Sequence, residues 1–449
     1  MHTMIRLIIS VAVLLLLIIG CSRSNQSNMP VTGEMPAISG GEIGDKGSLE
    51  EVAYPERFGA ATYDIHENDP CTTAQTHFSP EGVGTYYTTL LDCIAGTYYE
   101  YSGTYYNYIL ACDTQYKWSG SWQNYPRVRL YKLSSADSPS ATNLSYLPGT
   151  YFWDPDGCDL VNVESYLYAF VADSGTNYVR LYYWTLNTSG NISTGPSYAR
   201  LFSHDDMNNC QGVAATITYD TSHYHLLVCD PSDRRLFVFD QDGNTIGFSG
   251  GYDYYQFPSG EKPIDVCVAR YPNGEWSYWI AYVAVRNSSD GNNDCIRCFK
   301  WDGSDYDLNS NANCTGSGPD YFPNIMSLSV LKCGVSASSE HNDGTVCVLM
   351  YDTDDFRGYY LRQIDFGSSD SAYDDFTDDF DSVTSTIDGE QIDAGISESL
   401  AMCKQYYSSG GNTYIGYHYC VNDRDPDLNG TETAPYNGDN ILLYNNNQP

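Results

Sequence analysis

The grouping whose spacing best suits a metal ion is Asp425-x-Asp427-x-Asn429-Gly430, preceded by Asp423. Oxygens at alternate positions can wrap a hard cation, and glycine allows the sharp turn between them, so this spacing points to calcium as the candidate ion. The twelfth position of such a loop is Tyr436 rather than a bidentate carboxylate, which leaves Asp423 or Asp439 to complete the shell. The plain alternative is an acidic insertion between two strands. Asp154-Pro155-Asp156-Gly157-Cys158-Asp159 is a weaker candidate of the same kind. His223-Tyr224-His225 sets two imidazoles on one face of an extended chain, a spacing suited to a transition metal if a third ligand such as His204, Asp205 or Asp206 arrives from elsewhere. Two surface histidines beside a turn would give the same pattern. Cys295-Ile296-Arg297-Cys298 has the spacing of a redox pair, but on a strand positions three apart face opposite sides about 10 Å from each other, beyond disulfide reach.

The chain has fifteen cysteines. One of them, Cys21, ends a segment that opens with Arg6 and an apolar run from Leu7 to Ile19, about as long as the core of a signal peptide and short for a membrane span. Ile18-Ile19-Gly20-Cys21 resembles the bacterial lipobox. That resemblance implies cleavage before Cys21, lipid on its sulfur and, with Ser22 rather than Asp next, sorting to the outer membrane. Residues 1–20 then form the signal peptide. Residues 21–50, poor in aromatics and rich in Ser, Gly, Pro and Glu, form a flexible tether, and residues 51–449 the folded domain.

The other fourteen cysteines are an even number in a chain expected to be exported, which favours disulfides over a metal cluster. Three pairs lie symmetrically about turns: Cys93 with Cys112, Cys333 with Cys347, and Cys403 with Cys420. Equal distance from a hairpin turn places two residues opposite each other on paired strands. Cys158 with Cys210 is a fourth candidate, while Cys71, Cys229, Cys267, Cys295, Cys298 and Cys314 remain unassigned.

The formal charge is −35, from 57 acidic against 22 basic residues. Such a surface repels phosphate backbones and anionic headgroups, so nucleic-acid binding is not expected and the lipid alone would hold the protein to a membrane. The stretch from Asp365 to Glu398 carries eleven carboxylates and no Lys or Arg, which reads as a solvated outer edge.

The elements that must position these groups are strands. Forty-two tyrosines and short alternating runs between Gly, Asn, Asp and Ser clusters predict an all-β protein. A pattern recurs roughly every 50 to 80 residues, with a strand ending in Asp, a polar turn and then an apolar, often basic and aromatic strand. The strand-end residues are Asp113, Asp173, Asp230 and Asp352, with weaker equivalents near Asn287 and Asp423. The expected architecture is a β-propeller of six blades, each of four antiparallel strands. Inner strands are expected near Tyr86–Cys93, Asp159–Glu164, Val213–Tyr219, Ile264–Ala269, Met326–Cys333 and Ser399–Gln405. A segment from about Val52 to Tyr63 would supply the last outer strand and close the ring.

Asp230-Pro231-Ser232-Asp233-Arg234-Arg235-Leu236-Phe237-Val238-Phe239-Asp240-Gln241-Asp242-Gly243-Asn244 resembles one NHL-type blade. The resemblance implies a propeller, of a kind that serves binding more often than catalysis. Propeller ligands generally sit at a channel mouth, which marks Asp113, Trp118, Trp122, Asp159, Asp173, Asp206, Asp230, Arg286 and Asp352 as candidate ligand-binding residues. Aromatic faces with carboxylates suit sugars. The leading expectation is a lipid-anchored, non-enzymatic binding module for an envelope protein or polysaccharide. The alternative is a calcium-dependent hydrolase, lactonase or lyase with its metal at the channel mouth.

Overall fold

A computed structural model describes residues 76–78, 86–102, 104–118, 121–123, 127–134, 141–147, 152–216, 224–270, 279–287, 294–301, 306–314, 324–330, 345–352, 358–365, 390–392, 399–409, 412–423 and 440–445. Among these residues there is no helix long and apolar enough to cross a membrane. The fold is all-β and is built from six antiparallel sheets, each a path of four strands.

The first strand in the chain, β1 (Thr76–Phe78), belongs to the last sheet. The first sheet runs through β2 (Tyr86–Tyr101), β3 (Thr104–Trp118), with the short β4 (Ser121–Gln123) paired to the end of β3, then β5 (Arg127–Leu133) and β6 (Ala141–Leu147). The second contains β7 (Gly157–Val163), β8 (Tyr166–Asp173), β9 (Tyr178–Leu186) and β10 (Ile192–Phe202). The third contains β11 (Val213–Ala215), β12 (Leu226–Asp230), β13 (Arg235–Phe239) and β14 (Tyr254–Gln256). The fourth contains β15 (Glu261–Arg270), β16 (Trp279–Asn287), β17 (Cys295–Trp301) and β18 (Tyr306–Cys314). The fifth contains β19 (Ile325–Val330), β20 (Thr345–Asp352), β21 (Gly358–Asp365) and β22 (Glu390–Ile392). The sixth contains β23 (Leu400–Ser409), β24 (Asn412–Asp423) and β25 (Asn440–Asn445), with β1 added at its edge.

Each sheet is a meander, and the first strand of each starts close to where the recurring pattern places it. The strand at the outer edge of the sixth sheet is β1, paired Thr76 to Leu443 through Phe78 to Ile441. The expected segment, 52–63, lies outside the described residues, as do Cys21 and the tether. The alternation of short apolar runs missed β1 because three residues carry too little pattern to stand out.

Burial is graded across each sheet. In the second, β8 is buried at every position but Tyr166, whereas β10 is exposed or half-buried at all but Phe202. A strand covered on both faces reads as a continuous apolar run, and one at the rim does not. Cores form between successive sheets. Cys93, Tyr108, Leu130, Leu160, Leu167, Tyr182 and Trp184 join the first sheet to the second. Phe170, Phe202, Tyr224 and Phe239 stack between the second and third. Cys229, Val238, Val266, Val283 and Phe299 fill the space between the third and fourth, and Ile109, Ala401, Cys403 and Cys420 link the first to the sixth. Each buried ring removes about 150–250 Å² from water, the largest per-residue contribution available to such a core. The inner strands touch in the order β2, β7, β11, β15, β19, β23, and β23 returns to β2.

Candidate functional site

Two of the strand-end acids, Asp173 and Asp230, are ties within the fold. Asp173 is fully buried. Its carboxylate accepts the backbone N–H groups of Trp153 and Asp154, at 3.2 and 2.8 Å, the Thr176 hydroxyl at 2.9 Å and Arg180 Nη1 at 2.8 Å. Asp230, also fully buried, accepts Asn208 N at 2.7 Å and Asp233 N at 3.0 Å. Asn422 plays the same part in the sixth sheet, accepting Ser399 N at 2.7 Å. In the fourth sheet Asp294 takes this place beside the strand-end Asn287, accepting Asn287 N at 2.8 Å and Ile325 N at 2.9 Å. A carboxylate spent on backbone donors with no exposed surface cannot meet a ligand, so Asp173 and Asp230 leave the ligand-binding set.

Where the six inner strands converge they enclose a cavity of about 80 Å³, lined among others by Asp92, Asp159, Val213, Asp265, Ser327 and Ser399. Several of its polar side chains latch one inner strand to the next. Asp159 Oδ2 on β7 accepts Ala215 N on β11 at 2.7 Å. Asp265 Oδ2 on β15 accepts both the Ser327 hydroxyl, at 2.7 Å, and Leu328 N, at 2.8 Å, on β19. Ser327 Oγ accepts Leu400 N at 3.2 Å, and Ser399 Oγ accepts Ile94 N at 3.0 Å. Burial pushes the Asp265 carboxyl up to about 6, against the pull of the donors from Ser327, Leu328 and Val266. Between strands that approach this closely two glycines are obligatory. A Cβ on Gly157 would lie 1.8 Å from Gln211 O, and one on Gly212 would lie 2.4 Å from Asp265 Cα. Residue spacing does not reveal these latches, because each joins residues about 55 or more positions apart.

At the end where the inner strands begin, a recess of about 370 Å³ opens between the third, fourth and fifth sheets. Asn209, Gln211, Lys262, Arg286, Asn287 and Asn324 line it, with Asp294. Arg286, a candidate from the sequence, is held there by Ile325 O at 3.0 Å from its Nε. Trp153 stands at the corresponding entrance of the second sheet, four residues before β7 as Asn209 stands four before β11, and it is 75% exposed. Trp153 was missed because it precedes the strand rather than ending one.

The remaining candidates divide. Asp206 is exposed at the rim, 3.8 Å from Arg235 Nη1. Asp113, Trp118, Trp122 and Asp352 occupy strand positions, opposite Arg127, Ser121, Lys117 and Gly358 respectively. Asp423 ends β24 opposite Asn440, whereas Asp425, Asp427 and Asn429 lie outside the described residues, as does His223. His225 is packed inward, its Nδ1 3.1 Å from the Tyr306 hydroxyl and its ring edge-on to Trp301. His204 packs on Phe237, so both His204 and His225 serve as packing groups.

The cysteines agree with the expected pairs only in part. Cys93 and Cys112 are directly opposed on β2 and β3, as their equal distance from the hairpin turn predicts. Cys403 faces His418 while Cys420 faces Ala401, because the hairpin turns one residue earlier than the cysteine spacing suggests; their side chains nevertheless meet, and the hydrogen bond that the Cys420 thiol donates to Cys403, together with burial, pushes the Cys420 thiol up. Cys347 faces Ser329, and Cys333 lies outside the described residues. Cys158 does not pair with Cys210, whose thiol donates to Tyr178 O at 3.5 Å. It joins Cys93 and Cys112 instead, the three Sγ atoms lying within 4.8 Å of one another. Among the described residues this is the single group of three or more His, Cys, Asp or Glu ligand atoms at such spacing; the cavity carboxylates do not form one. Burial would raise the Cys158 thiol, but hydrogen bonds from Cys112 and Cys93 outweigh it and bring it down to about 6.

No protein-family model and no curated protein matches this chain. Among solved structures it is similar to a subtype N11 neuraminidase-like protein (A/flat-faced bat/Peru), with 9% identity over 85% of this chain and 98% of that one and a TM-score of 0.41. A GH62 hydrolase in complex with xylotriose shares 10% identity over 65% of this chain and 95% of the other, at a TM-score of 0.38. An α-L-arabinofuranosidase from Podospora anserina in complex with cellotriose shares 11% over 84% and 96%, at 0.33. Likenesses at this level carry nothing about the activity of this chain.

Proposed function

We propose that this protein is a lipid-anchored binding module of the bacterial cell envelope, a six-bladed β-propeller that holds a polysaccharide at the end where its inner strands begin. The cyclic order of contacts among the inner strands, with β1 completing the sixth sheet, supports the propeller. The signal-peptide pattern ending at Cys21, with Ser22 after it, supports the anchor and an outer-membrane position. The observation that carries the binding role is the recess lined by four carboxamides and two cations, with an exposed tryptophan at the neighbouring entrance. Amides donate to and accept from hydroxyls, and an indole face stacks on a sugar ring. The recess cations favour a glycan bearing carboxylates, despite the acidic character of the chain as a whole.

The test is affinity electrophoresis and calorimetry of the domain from residue 51 onward against envelope polysaccharide fractions. Trp153→Ala and Lys262→Ala should each weaken binding about tenfold, about 1.4 kcal/mol, without changing the melting temperature. Unaltered affinity in both variants, or capture of a protein partner with no affinity for any polysaccharide, would refute this reading.

A further inference from the structure

Two neighbouring sheets bring three sulfurs to one point. Cys93 and Cys112 occupy paired positions on β2 and β3, and Cys158, the second residue of β7, reaches them from the next sheet. All three Sγ atoms lie within 4.8 Å of one another. Cys93 and Cys112 are buried in the core shared by the two sheets, while Cys158 is half-buried at its margin. Cys93 and Cys158 also line the central cavity, so a small ion inside the molecule can reach them. A disulfide would engage only two of these sulfurs and leave the third unexplained. Three thiolates around one ion with metal–sulfur bonds of about 2.3 Å stand about 4 Å apart, which the observed spacing accommodates.

We propose that Cys93, Cys112 and Cys158 form a binding site for one thiophilic d¹⁰ cation, Zn²⁺ or Cu⁺, with the cavity supplying the fourth position. Soft thiolate donors select such ions over calcium or magnesium. Each thiol loses its proton to solvent as the cation binds, and no electron is transferred. Because the ligands come from two sheets, the bound ion also clamps the first sheet to the second.

The experiment uses the full chain, purified with reductant under argon and stripped with a chelator. Cd²⁺ is titrated in as the spectroscopic probe, and Zn²⁺ and Cu⁺ are then tested as competitors. A thiolate-to-cadmium band in the ultraviolet should saturate at one ion per chain, and the melting temperature should rise with it. Displacement of Cd²⁺ by an excess of Zn²⁺, sized for the tighter hold of thiolates on the softer cadmium ion, would identify zinc as the ligand, and displacement by Cu⁺ alone would identify copper. Cys158→Ser should weaken binding at least tenfold, whereas Cys210→Ser, outside the cluster, should bind as the parent does. The metal-free melting temperature of Cys158→Ser shows whether that variant is folded, and Cys158→Ala serves if it is not. The proposal is overturned if no band appears, if folded Cys158 variants bind as tightly as the parent, or if peptide mapping of a separate preparation, made without reductant and with free thiols alkylated at lysis, finds Cys93 and Cys112 joined in a disulfide.

Discussion

A carboxylate at the end of a strand can face solvent, hold a ligand or tie down the chain that arrives beside it, and Asp173 does the last. Its two oxygens serve two backbone N–H groups, the Thr176 hydroxyl and a guanidinium, with no surface left exposed. Replacing it by alanine leaves those donors, including the Arg180 charge, without their acceptor. Asp173→Ala should therefore lose on the order of 3 kcal/mol in urea unfolding, and Asp173→Asn, which keeps one acceptor, distinctly less. Equal losses in the two variants would mean that packing rather than hydrogen bonding accounts for the effect. The NHL-like turn of the third sheet works on a smaller scale in the same manner. Asp240 Oδ1 accepts Asp242 N and Asn244 N, both at 2.8 Å, around Gly243, whose φ of 82° suits glycine.

The elements that matter most are the six inner strands, and their closeness constrains their side chains. Where β7 meets the chain leading into β11, and where that chain meets β15, main chain packs on main chain. Gly157→Ala and Gly212→Ala must push these strands apart, and neither contact can yield by a side-chain rotation, because backbone atoms stand in the way. Each substitution should cost about 1–3 kcal/mol by chemical denaturation and slow exchange poorly at the latched amides of Ala215 and Leu328. Protection equal to the parent at both amides would show that the strands accommodate the extra carbon.

For the whole molecule, the decisive question is what β1 contributes to the sixth sheet. Its three residues pair with β25, far from it in sequence. A protein beginning at Gly84 loses this strand, while one beginning at Glu51 keeps it. The shorter chain should melt a few degrees lower, with the loss concentrated in exchange protection of β25. Identical melting curves would argue that the sixth sheet is complete without β1 and that the first and last sheets are held by their side-chain core alone.

Much of the fold was legible in the sequence because strand alternation and strand-end acids are local. Burial of both faces of an inner strand demands an apolar run, and a carboxylate at a strand end offers acceptors to nearby N–H groups, so the recurring pattern marks where each sheet starts and which strand follows. Function was less legible, since it depends on residues that meet only across sheets. Asp173 and Asp230 looked like ligands because type and spacing do not reveal whether a carboxylate ends up buried against backbone donors. Cys93 and Cys112 could be matched through one hairpin, but Cys158 joins them from another sheet. The carboxamides of the recess come together only when successive sheets pack side by side. The sequence by itself determined the all-β class, where the first strand of each sheet starts and the excess of negative charge. Only the tertiary structure decided which side chains share a cavity, because the core contacts that place neighbouring sheets are not encoded in any single stretch of chain.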